Sequence, residues 1–273
     1  MLNTIKESIK ITNENIVLAT PLILFSLLST VYMIFSNGKS LIGTFFTIFL
    51  FFLMFCAFIS GWFFMASRVV KEPDVDKNLL ITQSFFAGVG EYFLQIIGFV
   101  IIVVMLSLGI YTCSLVIGKY FIGNPGITYN QVSSAIVSVE AMKSFLMSLS
   151  NEQLIKINLW NLLLFAAMLI NYFLIMFFAP AMYFKNKNPF SAFFISLKDL
   201  FSRKFFQNCG LYIFAAFGYF LLSILTAIFS SNIIAHFILT LLNFYFASFV
   251  VILVFNYYYS NFAKIGSNID KMI

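Results

Sequence analysis

One histidine, three cysteines and ten acidic residues in a chain of 273 leave little from which to build a metal centre or an acid–base pair. Cys56, Cys113 and Cys209 lie inside or at the edge of apolar runs and form no CxxC pair, so neither a disulfide framework, a zinc site nor a bound cofactor is expected. Only 10% of residues are charged, and no Asp, Glu, Lys or Arg falls within the long apolar runs. Proton-coupled pumps and many ion pathways need such groups at membrane depth, which argues against that class. His236, near the outer end of the last run, has no second ligand beside it and reads as a packing residue. The net charge of +6 comes from cations scattered at the ends of runs rather than from a dense basic stripe, so nucleic acid is not an expected partner. Two motif-like stretches fail on their chemistry. "DVDKN" at 74–78 opens like a calcium loop, but Leu79 stands where glycine is required and Phe85 where glutamate is required. "GVG" at 88–90 follows no strand and has no lysine, so it reads as close helix packing or a bend rather than a phosphate loop.

What the chain has in abundance is apolar surface: 62% of residues are hydrophobic and 19% aromatic, the composition of a polytopic membrane protein. A spanning helix takes about 20 mostly apolar residues. Six stretches qualify, at about 16–35, 41–66, 93–117, 159–184, 209–230 and 233–257, with tight hairpin signals at "SNGKS" and "SSN". The first has no small-x-small cleavage site after it, so an uncleaved helix is expected. Twelve cations, Lys6, Lys10, Arg68, Lys71, Lys77, Lys185, Lys187, Lys198, Arg203, Lys204, Lys264 and Lys271, fall on one side of this arrangement. Lys39, Lys119, Lys143 and Lys156 fall on the other. Cationic flanks are retained in the cytoplasm, so a cell-membrane protein with both termini cytoplasmic is predicted. Trp62, Tyr183 and "YYY" at 257–259 would then be aromatic anchors at inner ends, and Tyr120 and Trp160 at outer ends.

Sliding the chain against itself by 112 residues aligns "FLQIIG" at 93–98 with "FFQNCG" at 205–210, placing Phe93, Gln95 and Gly98 on Phe205, Gln207 and Gly210. Upstream, "VKEPDV" at 70–75 and "KNKNPF" at 185–190 each set a proline after charged residues, and "IKESIKITNENIVL" fits a divergent third copy. The expected fold is therefore all-α: six transmembrane helices in three hairpins, each led in by a cytoplasmic amphipathic helix, all in one membrane domain over 1–273. The third copy is clearest. Asn188 is a good N-cap and Pro189 a good first helical residue. From there Phe190, Phe194, Leu197, Phe201 and Phe205 mark one face, and Ser191, Lys198, Asp199, Ser202 and Arg203 the other. Such a helix lies in the headgroup plane, with Lys198, Arg203 and Lys204 near anionic lipid phosphates and the last two fixing an elbow into the next span.

Amides are the remaining polar features of the runs: Gln95, Asn161, Asn171, Asn243 and Asn256. In lipid such groups bond across helices. Asn171 and Asn243, near the middle of the fourth and sixth runs, form a candidate intramembrane polar site if they face each other. Pro21 and Pro180 read as kinks. The outer segment 118–158 carries a turn-rich "GNPGITYN" and an amphipathic helical stretch, but no converging carboxylates. The pattern "KNKNPFSAFFISLKDLF", followed by basic residues and a span, resembles the six-span bacterial family that includes the membrane domain of glycerophosphodiester phosphodiesterases. The opening "IKITNENIVLATPLILFSLL" is similar to that family's usual start. The resemblance implies a fold and a role beside lipid or envelope metabolism; with no soluble phosphodiesterase domain in the sequence, it assigns that activity to no residue. The expected function is a non-enzymatic scaffold or accessory subunit with anionic lipids, and a membrane protein partner, as its contacts. The alternative is a permease for a small uncharged or lipid-like solute, using Asn171 and Asn243.

Overall fold

A computed structural model of the chain describes residues 1–35, 41–72 and 77–264. The "SNGKS" turn with Lys39, Pro73 with most of "DVDKN", and Lys271 lie outside the described residues. Among those described there is no strand, as expected of a chain whose backbone must satisfy its own hydrogen bonds in lipid. The helices are α1 (Leu2–Glu14), α2 (Thr20–Phe35), α3 (Leu41–Lys71), α4 (Lys77–Phe121), α5 (Tyr129–Ala135) and α6 (Val139–Ser148). They continue with α7 (Asn151–Ile175), α8 (Phe178–Phe184), α9 (Pro189–Leu200), α10 (Phe205–Ile228) and α11 (Ile233–Tyr258). Among the described residues five spans are long and apolar enough to cross a membrane, and Leu2–Glu14 with Ile16–Tyr32, bent by 82°, makes a sixth if the pair is counted as one span. The protein is an all-α, multi-pass membrane protein.

The lead-in helices differ from one another for local reasons. Before α2, Asn15 leaves helical geometry and its side chain donates to the Ile11 carbonyl at 2.7 Å, closing α1 so that the chain can turn. Before α10, Asn188 Oδ1 accepts from Phe190 N (3.0 Å) and Ser191 N (3.4 Å) with Pro189 at the first position, the expected start of α9. The second lead-in is not set off from its span. Residues 82–92 offer glycines but no proline or capping asparagine to stop the helix, so α4 runs on for 45 residues. At 1.5 Å per residue it is roughly 68 Å long, about twice the hydrocarbon thickness. The fourth apolar run is interrupted instead: Pro180 has no N–H for the Met176 carbonyl, and α7 ends at Ile175 before α8 begins at Phe178 within one candidate span.

The chain's contacts form two units, Met1–Ile102 with Leu174–Ile273, and Val103–Phe173. In the first, α2 and α3 are antiparallel, with Phe25 stacked on Phe58 at 4.4 Å and Tyr32 OH donating to the Thr47 carbonyl at 2.6 Å. The α3 and α4 backbones approach closely where Gly61 faces Phe85 and Gly88 faces Ser60 and Phe64. Asn256 on α11 donates to Glu7 (3.3 Å) and Ser8 (3.2 Å), holding α1 against it. The aromatics expected as interfacial anchors at the inner ends are mostly core: Trp62 donates to the Leu18 carbonyl at 3.0 Å, and Tyr183, Tyr257 and Tyr258 are buried. Tyr257 and Tyr258 pack on Phe177, Trp62 on Phe58 and Phe63, and Tyr183 on Tyr92 and Phe255, which removes them from lipid.

The repeat has a structural counterpart. A Cβ on Gly98 would meet Pro189 at 2.7 Å, and one on Gly210 would meet Met1 at 3.4 Å. Pro189 begins α9 and Met1 caps α1, so the two aligned glycines each receive the start of a lead-in helix. In the second unit α4 and α7 are antiparallel. Gly118 makes room for the Trp160 ring, whose Nε1 donates to the Gly123 carbonyl at 3.0 Å, and α5 and α6 lie in the connection.

Candidate functional site

The elbow after α9 forms as the sequence implies, with more partners than expected. Phe201–Lys204 is a turn, and Lys204 Nζ donates to Asn261 Oδ1 at 2.6 Å and lies 5.7 Å from the Phe262 ring centre. Asn208, fully buried, donates to the Leu200 carbonyl at 2.8 Å and to the Asp199 carbonyl at 3.3 Å, satisfying the end of α9. Tyr257 OH donates back to Asn208 Oδ1 at 2.9 Å. Asp199 does not join a solvated face: it accepts from Lys185 Nζ at 2.8 Å and from Tyr258 OH at 2.5 Å. Lys198 and Arg203 are exposed. On α9 itself, Ala192, Ser196 and Leu200 are buried while Phe190, Phe194 and Phe201 are exposed. The helix thus has a third, inward stripe of Ala192, Ser196 and Leu200 that a two-face reading does not separate.

A cavity of about 410 Å³ opens nearby in the same unit, between the end of α3, the Glu91–Tyr92 part of α4, and α8 with the loop that follows. Phe64, Met182 and Tyr183 form its apolar floor, where Tyr183 stacks on Tyr92 at 4.2 Å. Arg68, Lys71, Lys185 and Lys187 line it together with Glu72 and Glu91. Arg68 pairs with Glu72 at 3.2 Å, and Lys187 with Glu91. The Glu91 carboxylate, to which Lys187 donates, holds that lysine above its ordinary range, with the neighbouring Tyr92 adding to the effect. Lys71 Nζ sits 5.2 Å from the Phe184 ring centre and has no carboxylate partner among the described residues. No spacing pattern in the sequence points to this cavity, because its charges come from positions as far apart as Glu91 and Lys187.

Asn171 and Asn243 each find a partner close by. Asn171 Nδ2 donates to Ser107 Oγ at 2.9 Å. Asn243 Nδ2 donates to the Leu239 carbonyl at 2.8 Å and to Thr226 Oγ1 at 3.3 Å. Asn161, one of the amides expected to bond across helices, is exposed, and Gln95 is half-buried. Asn171 Oδ1 is buried without a hydrogen-bond partner among the described residues. Ser107→Ala should therefore cost about 1 kcal/mol, and Asn171→Leu less, because the leucine also removes the orphaned acceptor. Thermal unfolding in detergent checks this order; a larger loss for Asn171→Leu would contradict it. Compared with family models, curated proteins and solved structures, the chain matches none.

Proposed function

We propose that the protein is a non-enzymatic scaffold or accessory subunit of a bacterial inner membrane, gathering anionic lipid or a protein partner at its cytoplasmic face. One observation carries this reading: α9 buries Ala192, Ser196 and Leu200 while α9 and the turn after it present Phe190, Phe194 and Phe201 outward beside Lys198 and Arg203. Exposed phenylalanines suit the acyl boundary, and cations beside them suit lipid phosphates. The bias of cations toward one set of helix ends supports cytoplasmic termini. A role beside lipid or envelope metabolism is also what the likeness to the phosphodiesterase membrane domains would imply.

The clean test uses Lys198 and Arg203, since Lys204 also has a structural partner in Asn261. Lys198→Gln with Arg203→Gln should reduce the preference for phosphatidylglycerol over phosphatidylcholine, at about 1 kcal/mol per cation. Native mass spectrometry of protein extracted in mild detergent reads that preference directly, and an unchanged ratio would overturn the proposal. The permease reading draws on the buried, unpartnered Oδ1 of Asn171, the kind of group a solute could satisfy. It requires solute flux in proteoliposomes that Asn171→Leu abolishes.

A further inference from the structure

We infer that the cavity between α3, α4 and α8 is a binding site for a phosphoryl group, carried either by an anionic lipid headgroup or by a soluble phosphate ester. The inference goes beyond the α9 reading and uses none of that helix's exposed residues. Its volume of about 410 Å³ lies within the range of small-molecule sites, roughly 300–1,000 Å³.

Charge selects the ligand. Arg68, Lys71, Lys185 and Lys187 meet at the cavity, and Glu72, Asp199 and Glu91 are bound to Arg68, Lys185 and Lys187 in turn. Among the described residues Lys71 makes no ion pair: its Nζ lies 5.2 Å from the Phe184 ring centre, and Glu72 and Glu91, which pair with Arg68 and Lys187, act on it only at longer range. The ion pairs leave donors free: only one guanidinium nitrogen of Arg68 is engaged by Glu72. A guanidinium fork beside compact ammonium groups matches a phosphoryl group, whose several oxygens can be shared among them. An anionic group can approach Lys71 without displacing the ion pairs of Arg68, Lys185 or Lys187. The floor of Phe64, Met182 and Tyr183 gives the carbon skeleton behind the phosphoryl group an apolar surface. Tyr183 is itself fixed, its OH donating to the Ser60 carbonyl at 2.9 Å.

The experiment uses the full chain in detergent, probed with phosphatidylglycerol, phosphatidylcholine and sn-glycerol 3-phosphate. Native mass spectrometry should show one phosphatidylglycerol per chain surviving activation while phosphatidylcholine is lost, if the source is lipid. Binding of sn-glycerol 3-phosphate to delipidated protein, displaced by inorganic phosphate, would identify a soluble ester at the same site. In either case Lys71→Gln should weaken binding about fivefold, the weight of one cation at an anionic headgroup. Lys71→Arg should restore it, and Lys143→Gln on the outer segment should leave it unchanged. Binding of phosphatidylglycerol and of sn-glycerol 3-phosphate that is the same for wild type, Lys71→Gln and Arg68→Gln, all with the same unfolding midpoint, would overturn the inference. Loss of the bound ligand in the Lys198→Gln, Arg203→Gln variant would overturn it too. A change in bulk lipid preference there, with the single ligand retained, separates the cavity from α9.

Discussion

Gly88→Val is expected to leave little folded protein, whereas Gly90→Ala two residues away is expected to be neutral or stabilising. A Cβ at 88 would lie 2.4 Å from Phe64 Cβ and 3.0 Å from the Ser60 carbonyl oxygen, and one at Gly61 would lie 2.8 Å from the Phe85 carbonyl oxygen. These neighbours are backbone, or a side-chain atom fixed to it, so they cannot rotate away; α3 and α4 would have to separate. Without a hydrophobic force between helices in lipid, association depends on this close packing of small residues. Overpacking a tight contact costs about 1–3 kcal/mol where side chains can yield, and the backbone contact here sets the expectation at or above the upper end. At Gly90 a Cβ meets nothing within 4 Å, so alanine adds helix propensity at no steric cost, up to about 1 kcal/mol. Size-exclusion monodispersity and thermal unfolding in detergent decide it. Equal midpoints for the two variants would mean that the α3–α4 approach is not what holds this part of the bundle together.

That contrast also marks what a sequence reading reaches. The "GVG" stretch suggested close packing, but only the structure assigns the contact to Gly88 and leaves Gly90 open. Apolar run length placed the spans, and the Asn188–Pro189 pair placed the start of α9, because both are local properties of the chain. The fused lead-in of α4 escaped because the absence of a stop signal is less visible than its presence. Position along the runs predicts Trp62, Tyr183, Tyr257 and Tyr258 as interfacial anchors at inner ends. Their burial follows from which face each helix turns inward, and a helix apolar all round does not reveal that face. Asp199 looked like part of a solvated stripe for the same reason. The cavity was the least legible feature, since Lys187 and Glu91 are 96 residues apart and become neighbours only through packing.

Asp199→Ala should destabilise the protein by about 3 kcal/mol, a larger loss than any other single change at the elbow. The carboxylate holds Lys185 and Tyr258 together, and the Lys185 and Asp199 side chains are only 27% and 14% exposed. Removing the acid strands a largely shielded ammonium and a buried hydroxyl, and breaking one side of such a pair costs about 3–5 kcal/mol; partial exposure sets the lower end. Tyr258→Phe removes one hydrogen bond and leaves the ion pair, so about 1 kcal/mol is expected. Asn208 binds the backbone carbonyl of Asp199 rather than its carboxylate, so the end of α9 stays capped in all these variants. Paired replacement separates charge from packing. Because a buried ion pair is often replaceable by apolar groups of similar size, Asp199→Leu with Lys185→Met should recover most of what Asp199→Ala loses. Thermal unfolding of the four proteins in one detergent tests the scheme. A double variant as unstable as Asp199→Ala would mean that the pair itself, and not the avoidance of a stranded charge, holds α8, α9 and α11 together.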